Sequence, residues 1–91
     1  MLEVRPLGLD GVVELLPQRF GDDRGFFSET YNAARMAQGG IDLAFVQDNH
    51  SYSKDAGTVR GLHYQRPPHA QAKLVRCARG RVFDVAVDVR K

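Results

Sequence analysis

Between Arg60 and Gln65 the chain sets an arginine, a histidine, a tyrosine and a glutamine close together, and Lys73 follows shortly after. An imidazole titrates near neutral pH and can accept a proton, while guanidinium and ammonium groups hold anions and developing negative charge. Arg60, His63, Gln65 and Lys73 at strand spacing therefore describe a site for an anionic ligand, with proton chemistry beside it. The plainer alternative is a half-buried strand whose charges face water, and this stretch alone leaves both open. Upstream, Arg24 stands next to Phe26 and Phe27. These three read either as core plus a surface charge or as a stacking platform beside a phosphate clamp, because guanidinium matches phosphate in a bidentate fork.

The elements that must position these groups are mostly short strands. Leu2 to Leu7 and Val12 to Leu16 read as a pair of strands around the turn Gly8-Leu9-Asp10-Gly11. A turn-rich loop from Arg19 runs into a strand in which Arg24, Phe26 and Ser28 face one side, and Gly25, Phe27 and Glu29 the other. One short helix is expected from Tyr31 to Gln38, with Asn32 as N-cap and Gly39-Gly40 as its stop. Leu43 to Ser53 reads as a strand whose polar second half, Gln47-Asp48-Asn49-His50-Ser51, either lines a polar cavity or forms an exposed edge. Gly57 turns the chain into the central run, which ends at Pro67-Pro68, where backbone donors vanish. Lys73 to Ala78 and Val82 to Val89 are expected to form an antiparallel hairpin about Arg79-Gly80. In that register Phe83, Val85, Val87 and Val89 form a core face, and Lys73, Asp84 and Asp88 lie opposite. Arg60 and His63 differ in strand parity, so one shared cavity requires a bulge or twist, which Gly61 permits.

Composition narrows the function classes. The 91 residues allow at most one small domain. An apolar fraction of 43% and a charged fraction of 26% are those of an ordinary globular chain. A net charge of +2, without a run of like charges, argues against a nucleic-acid surface. No apolar run approaches the ~20 residues of a membrane-spanning helix, and no signal-peptide pattern opens the chain. A single cysteine, Cys77, excludes an internal disulfide and favours a reducing cytoplasm.

The spacing from Gly57 to His63, and from Lys73 to Gly80, resembles the two ends of the first cupin motif. In between, Gln65 stands where that motif has its second histidine ligand and Lys73 where it has a glutamate. Glutamine is a weak ligand and an ammonium repels a cation, so a metal-free site is expected. This departure points to one family. Phe20, Asp23 to Glu29, Val46 to Ser51, Arg60 to Gln65, Lys73 to Arg76 and Phe83 to Arg90 together resemble the dTDP-4-dehydrorhamnose 3,5-epimerases, in order and spacing.

The resemblance implies an all-β, antiparallel jelly-roll barrel of cupin type with one short connector helix, of which residues 1–91 form the N-terminal part. It implies a cofactor-free isomerase acting on a dTDP-sugar, homodimeric at full length and cytoplasmic, with neither nucleic acid nor membrane as partner. His63 would be the base and Lys73 the group that stabilises the enolate; Phe20, Arg24, Phe27, Glu29, Gln47, Asp48, Asn49 and Arg60 would join Lys73 in contacting the nucleotide-sugar. The family's proton-donating tyrosine and the aspartate paired with its histidine lie in a second half, and Tyr31, Tyr52 and Tyr64 do not match that tyrosine. The expectation is thus a chain with the base and much of the nucleotide contact set, doubtful as an enzyme by itself. A related dTDP-sugar isomerase, a mono-epimerase and a non-catalytic dTDP-sugar binding module are the alternatives. His50 and His69 read as surface histidines.

Overall fold

The computed structural model describes residues 2–90, which fall into two compact units: 2–42 with 80–90, and Leu43–Arg79. All regular structure lies in the first unit. Strand β1 (Glu3–Pro6) pairs antiparallel with β2 (Val13–Leu16), Val4 opposite Leu15 and Arg5 opposite Glu14. The connecting turn closes through Leu7 N–H to the Val12 carbonyl at 3.1 Å, with Gly11 at φ 88°, where a side chain would be strained. Arg5 donates to Glu14 Oε1 at 3.1 Å, a cross-strand charge pair of the kind that contributes about 0.2–1 kcal/mol.

A second hairpin follows. Strand β3 (Arg19–Asp22) pairs antiparallel with β4 (Gly25–Ser28), so the residues expected to form a loop before β4 are themselves a strand. Phe20 lies opposite Phe27, which puts both rings on one face; Arg19, on the other, stacks its guanidinium 3.9 Å from the Phe26 ring centroid. The Ser28 hydroxyl donates to the Gln18 carbonyl at 2.9 Å and anchors the open end.

Helix α1 (Ala33–Gln38) forms where the capping signals place it. Asn32 Oδ1 accepts from Arg35 N–H at 3.0 Å, and Gly39 and Gly40 return their N–H groups to carbonyls of the last turn. A Cβ on Gly39 would come within 2.8 Å of Val4 Cγ2, so the end of α1 packs closely on β1. Met36 of α1, 3% exposed, is the one buried residue among those described.

Residues 43–90 carry no helix or strand. The strands expected over 43–53, 57–65, 73–78 and 82–89 are extended-looking in sequence but do not pair, and the hairpin about Arg79-Gly80 is absent. A strand needs both a ladder partner and something to cover its apolar face, and a lone two-stranded ribbon is marginal in water. Here Val82, Phe83, Val85, Val87 and Val89 are all exposed, Phe83 at 92%. Strand content with one short helix agrees with an all-β class; the two sheets are two-stranded and do not close into a barrel. Among the described residues no helix is long and apolar enough to cross a membrane.

Within the first unit, residues 86–90 lie along the β1–β2 turn. Arg90 donates to the Asp10 carbonyl at 2.9 Å, and Asp88 grips Arg90 through backbone N–H, Nε and Nη2 at 3.0, 2.9 and 2.8 Å. Side-chain hydrogen bonding from Arg90, then its backbone N–H, holds the Asp88 carboxyl down at about 2 against an ordinary 3.8. A depressed carboxyl stabilises the fold above its unfolded value and stops doing so as pH falls through its folded value. The clasp should therefore hold at pH 4 and open toward pH 2. NMR titration of the Asp88 carboxyl carbon should give a midpoint at about 2; a midpoint near the ordinary 3.8 would show that the clasp does not form in solution.

Candidate functional site

The β3–β4 hairpin carries the first cluster. Its loop reverses over Asp23-Arg24, and Gly25 takes φ 138°, a conformation that L side chains rarely adopt. That reversal brings Phe20, Asp22, Arg24, Gly25, Phe26 and Phe27 around an open hollow of about 240 Å³. Phe20 and Phe27 are 57% and 72% exposed, so two ring faces are available for stacking. Arg24 rises beside them with its side chain 90% exposed. Asp22 steadies it twice: Oδ1 accepts from the Arg24 backbone N–H at 2.8 Å, and Oδ2 from Nη2 at 2.7 Å. The Arg24 side chain is the main reason that the Asp22 carboxyl lies below its ordinary value, with the Arg24 and Gly25 N–H groups adding to it. An aromatic pair, a guanidinium with most of its N–H groups unused and a rigid turn can take a flat ring attached to an anion. Glu29 stands just after β4 and pairs with Arg35 of α1.

The second unit holds the remaining expected site residues. Gln47 donates from Nε2 to Gln71 Oε1 at 3.2 Å. Arg60 is tied by Nε to Ser53 Oγ at 2.9 Å and by Nη2 to the Tyr52 carbonyl at 3.1 Å, which fixes its plane and leaves other N–H groups for a ligand. Thr58 closes the preceding turn onto the Asp55 carbonyl, through Oγ1 at 2.7 Å. Gly61 takes φ 125° between Arg60 and His63, in a stretch that forms no strand, so the bulge expected there from strand parity does not arise. A Cβ there would lie 4.0 Å from His63 Nδ1. Among the described residues no hydrogen bond or ion pair engages the side chains of Asp48, Asn49, His63 or Lys73, and all four residues are exposed.

The structure thus gathers Phe20, Arg24 and Phe27 around one hollow, sets Glu29 against α1, and braces Gln47 and Arg60 with neighbours in their own unit. Asp22, Gln71 and Ser53 are the supporting residues that sequence reading passed over. Asp22 had a signal: an aspartate two residues before an arginine can accept its backbone N–H in a turn. Gln71 and Ser53 had none. No group of three His, Cys, Asp or Glu side chains among the described residues is arranged to hold a metal ion.

Comparison with known proteins is more specific than the geometry. The family profile described as dTDP-4-dehydrorhamnose 3,5-epimerase matches residues 6–91. Among its relatives, the dTDP-4-dehydrorhamnose 3,5-epimerase of Salmonella typhimurium (strain LT2) is 53% identical over 92 residues, covering 100% of this chain and 50% of the relative. That of Sinorhizobium fredii (strain NGR234) is 52% identical over 84 residues, covering 92% and 43%. A dTDP-4-dehydrorhamnose 3-epimerase of Streptomyces niveus is 46% identical over 90 residues, covering 98% and 43%. The chain belongs to the dTDP-4-dehydrorhamnose 3,5-epimerase family. It spans about half the length of the curated relatives it matches. No solved structure matches it.

Proposed function

We propose that this chain supplies the base and the nucleotide contacts for epimerisation at C3 and C5 of dTDP-4-dehydro-6-deoxy-D-glucose, giving dTDP-4-dehydro-L-rhamnose. The observation that carries the reading is the family match, which runs over residues 6–91 and includes both His63 and Lys73. The ketone at C4 acidifies the protons on C3 and C5. His63 removes one of them, the electron pair moves onto the C4 oxygen, and Lys73 faces the resulting enolate, where negative charge develops. Reprotonation on the opposite face, by the tyrosine donor that the family carries in its second half, inverts the carbon. No electron is lost or gained, so the chemistry calls for no cofactor.

Phe20 and Phe27 hold the base, while Arg24 and Arg60 hold the diphosphate; Glu29, Gln47, Asp48 and Asn49 complete the polar contacts. The reading includes an antiparallel jelly roll of cupin type, to which residues 1–91 contribute the N-terminal part, a homodimer, and a cytoplasmic setting without nucleic acid or membrane. Exposure of Phe83, Val85, Val87 and Val89 supports it, because that alternation has the composition of a strand face meant to be covered. The relative from Streptomyces niveus favours a second reading, a mono-epimerase acting at C3 alone.

Incubation with the dTDP-sugar in deuterium oxide separates the two. Deuterium entering at both C3 and C5 is the expected result, and entry at C3 alone would establish the second reading. Binding of dTDP without exchange at either carbon would leave a sugar-nucleotide binding module instead.

A further inference from the structure

Arg24 projects from a hairpin turn with its side chain 90% exposed, a setting in which a long cation ordinarily samples many rotamers. Asp22 removes much of that freedom. One carboxylate oxygen takes the Arg24 backbone N–H at 2.8 Å and the other takes Nη2 at 2.7 Å, so a single side chain fixes both the turn and the guanidinium. Only one of the five guanidinium N–H groups is used in this way, the others make no hydrogen bond among the described residues, and Arg24 lines the hollow shared with Phe20 and Phe27. A carboxylate placed beside an anion site repels the anion, so its presence there needs a compensating role.

We infer that Asp22 is a positioning residue for nucleotide binding, holding the Arg24 fork in the geometry that a diphosphate accepts. This rests on the reading of Arg24 given above. Ordering a side chain before the ligand arrives lowers the cost of binding, and that gain is set against the repulsion of the carboxylate, which pairing with Arg24 reduces but does not remove.

A double-mutant cycle on dTDP binding, followed by calorimetry with dTDP as the probe, tests it. Asp22→Ala should weaken binding roughly two- to fivefold, the range of one exposed ion pair. Asp22→Asn, which keeps an acceptor for the Arg24 backbone N–H, should recover part of the loss. In an Arg24→Ala background, Asp22→Ala should have no further effect. An equal loss in both backgrounds would show that Asp22 acts on the hairpin and not through Arg24, and tighter binding by Asp22→Ala would show that it competes with the ligand. Either overturns the proposal while leaving Arg24 as a nucleotide contact. Unchanged binding in Arg24→Ala alone would remove that contact, and the role of Asp22 with it.

Discussion

Replacing His63 with alanine should reduce deuterium exchange at both C3 and C5 by roughly 10²–10⁴-fold, the contribution of a positioned general base. Exchange is the informative readout because it requires only that a proton be removed and returned, whereas net epimerisation also requires delivery from the opposite face. Loss of the base stops both. Substitution of the enolate-stabilising group should act differently. On the proposed roles, Lys73→Ala should slow exchange by destabilising the charge on the C4 oxygen while leaving the base in place, so residual exchange should exceed that of His63→Ala. If His63→Ala exchanged at the wild-type rate, another group would be the base. The exposed imidazole makes a chemical check possible as well: added imidazole should restore part of the exchange in His63→Ala and none in Lys73→Ala.

The second large effect concerns the anion. Arg24→Ala and Arg60→Ala should each weaken dTDP binding through lost charge-assisted hydrogen bonds, which contribute roughly 1.5–3 kcal/mol apiece. That corresponds to about 10- to 150-fold in Kd. The two should not be equal. Arg60 already donates to Ser53 Oγ and the Tyr52 carbonyl, so fewer of its N–H groups remain, while Arg24 commits only Nη2 to Asp22. Arg24→Ala is therefore expected to show the larger loss. A smaller effect for Arg24→Ala than for Arg60→Ala would reverse the assignment of the main phosphate clamp.

How far the sequence could be read depended on whether a signal was local. The β1–β2 hairpin and α1 were legible because their turn glycines, the Asn32 cap and the Gly39-Gly40 stop act over a few residues, without help from distant chain. Strand β3 was hidden because its apolar content is a single residue, Phe20, between polar neighbours and a strong turn signal at Asp22-Asp23-Arg24-Gly25. The alternation over 82–89 suggests which side of a strand would want covering, but not what would cover it. Strand pairing there does not form among the described residues. For the site, Arg24, Phe20 and Phe27 were legible as types and were brought to one hollow by the hairpin register. Asp22 was signalled only as a turn residue; that it also holds the Arg24 side chain was not legible. His63 and Lys73 were named by type and by family spacing, and no side-chain hydrogen bond or ion pair engages either among the described residues.

The most direct measurement is a titration of the isotopically labelled 91-residue chain with dTDP, followed residue by residue by NMR. The account predicts saturable shifts at Phe20, Arg24 and Phe27 on the β3–β4 hairpin, and saturable shifts at Gln47, Asp48, Asn49 and Arg60 in the second unit. Resonances of α1 beyond Arg35 and of the β1–β2 turn should stay in place. Shifts confined to those latter regions, or spread evenly along the chain without saturation, would contradict the placement of a nucleotide site on these residues.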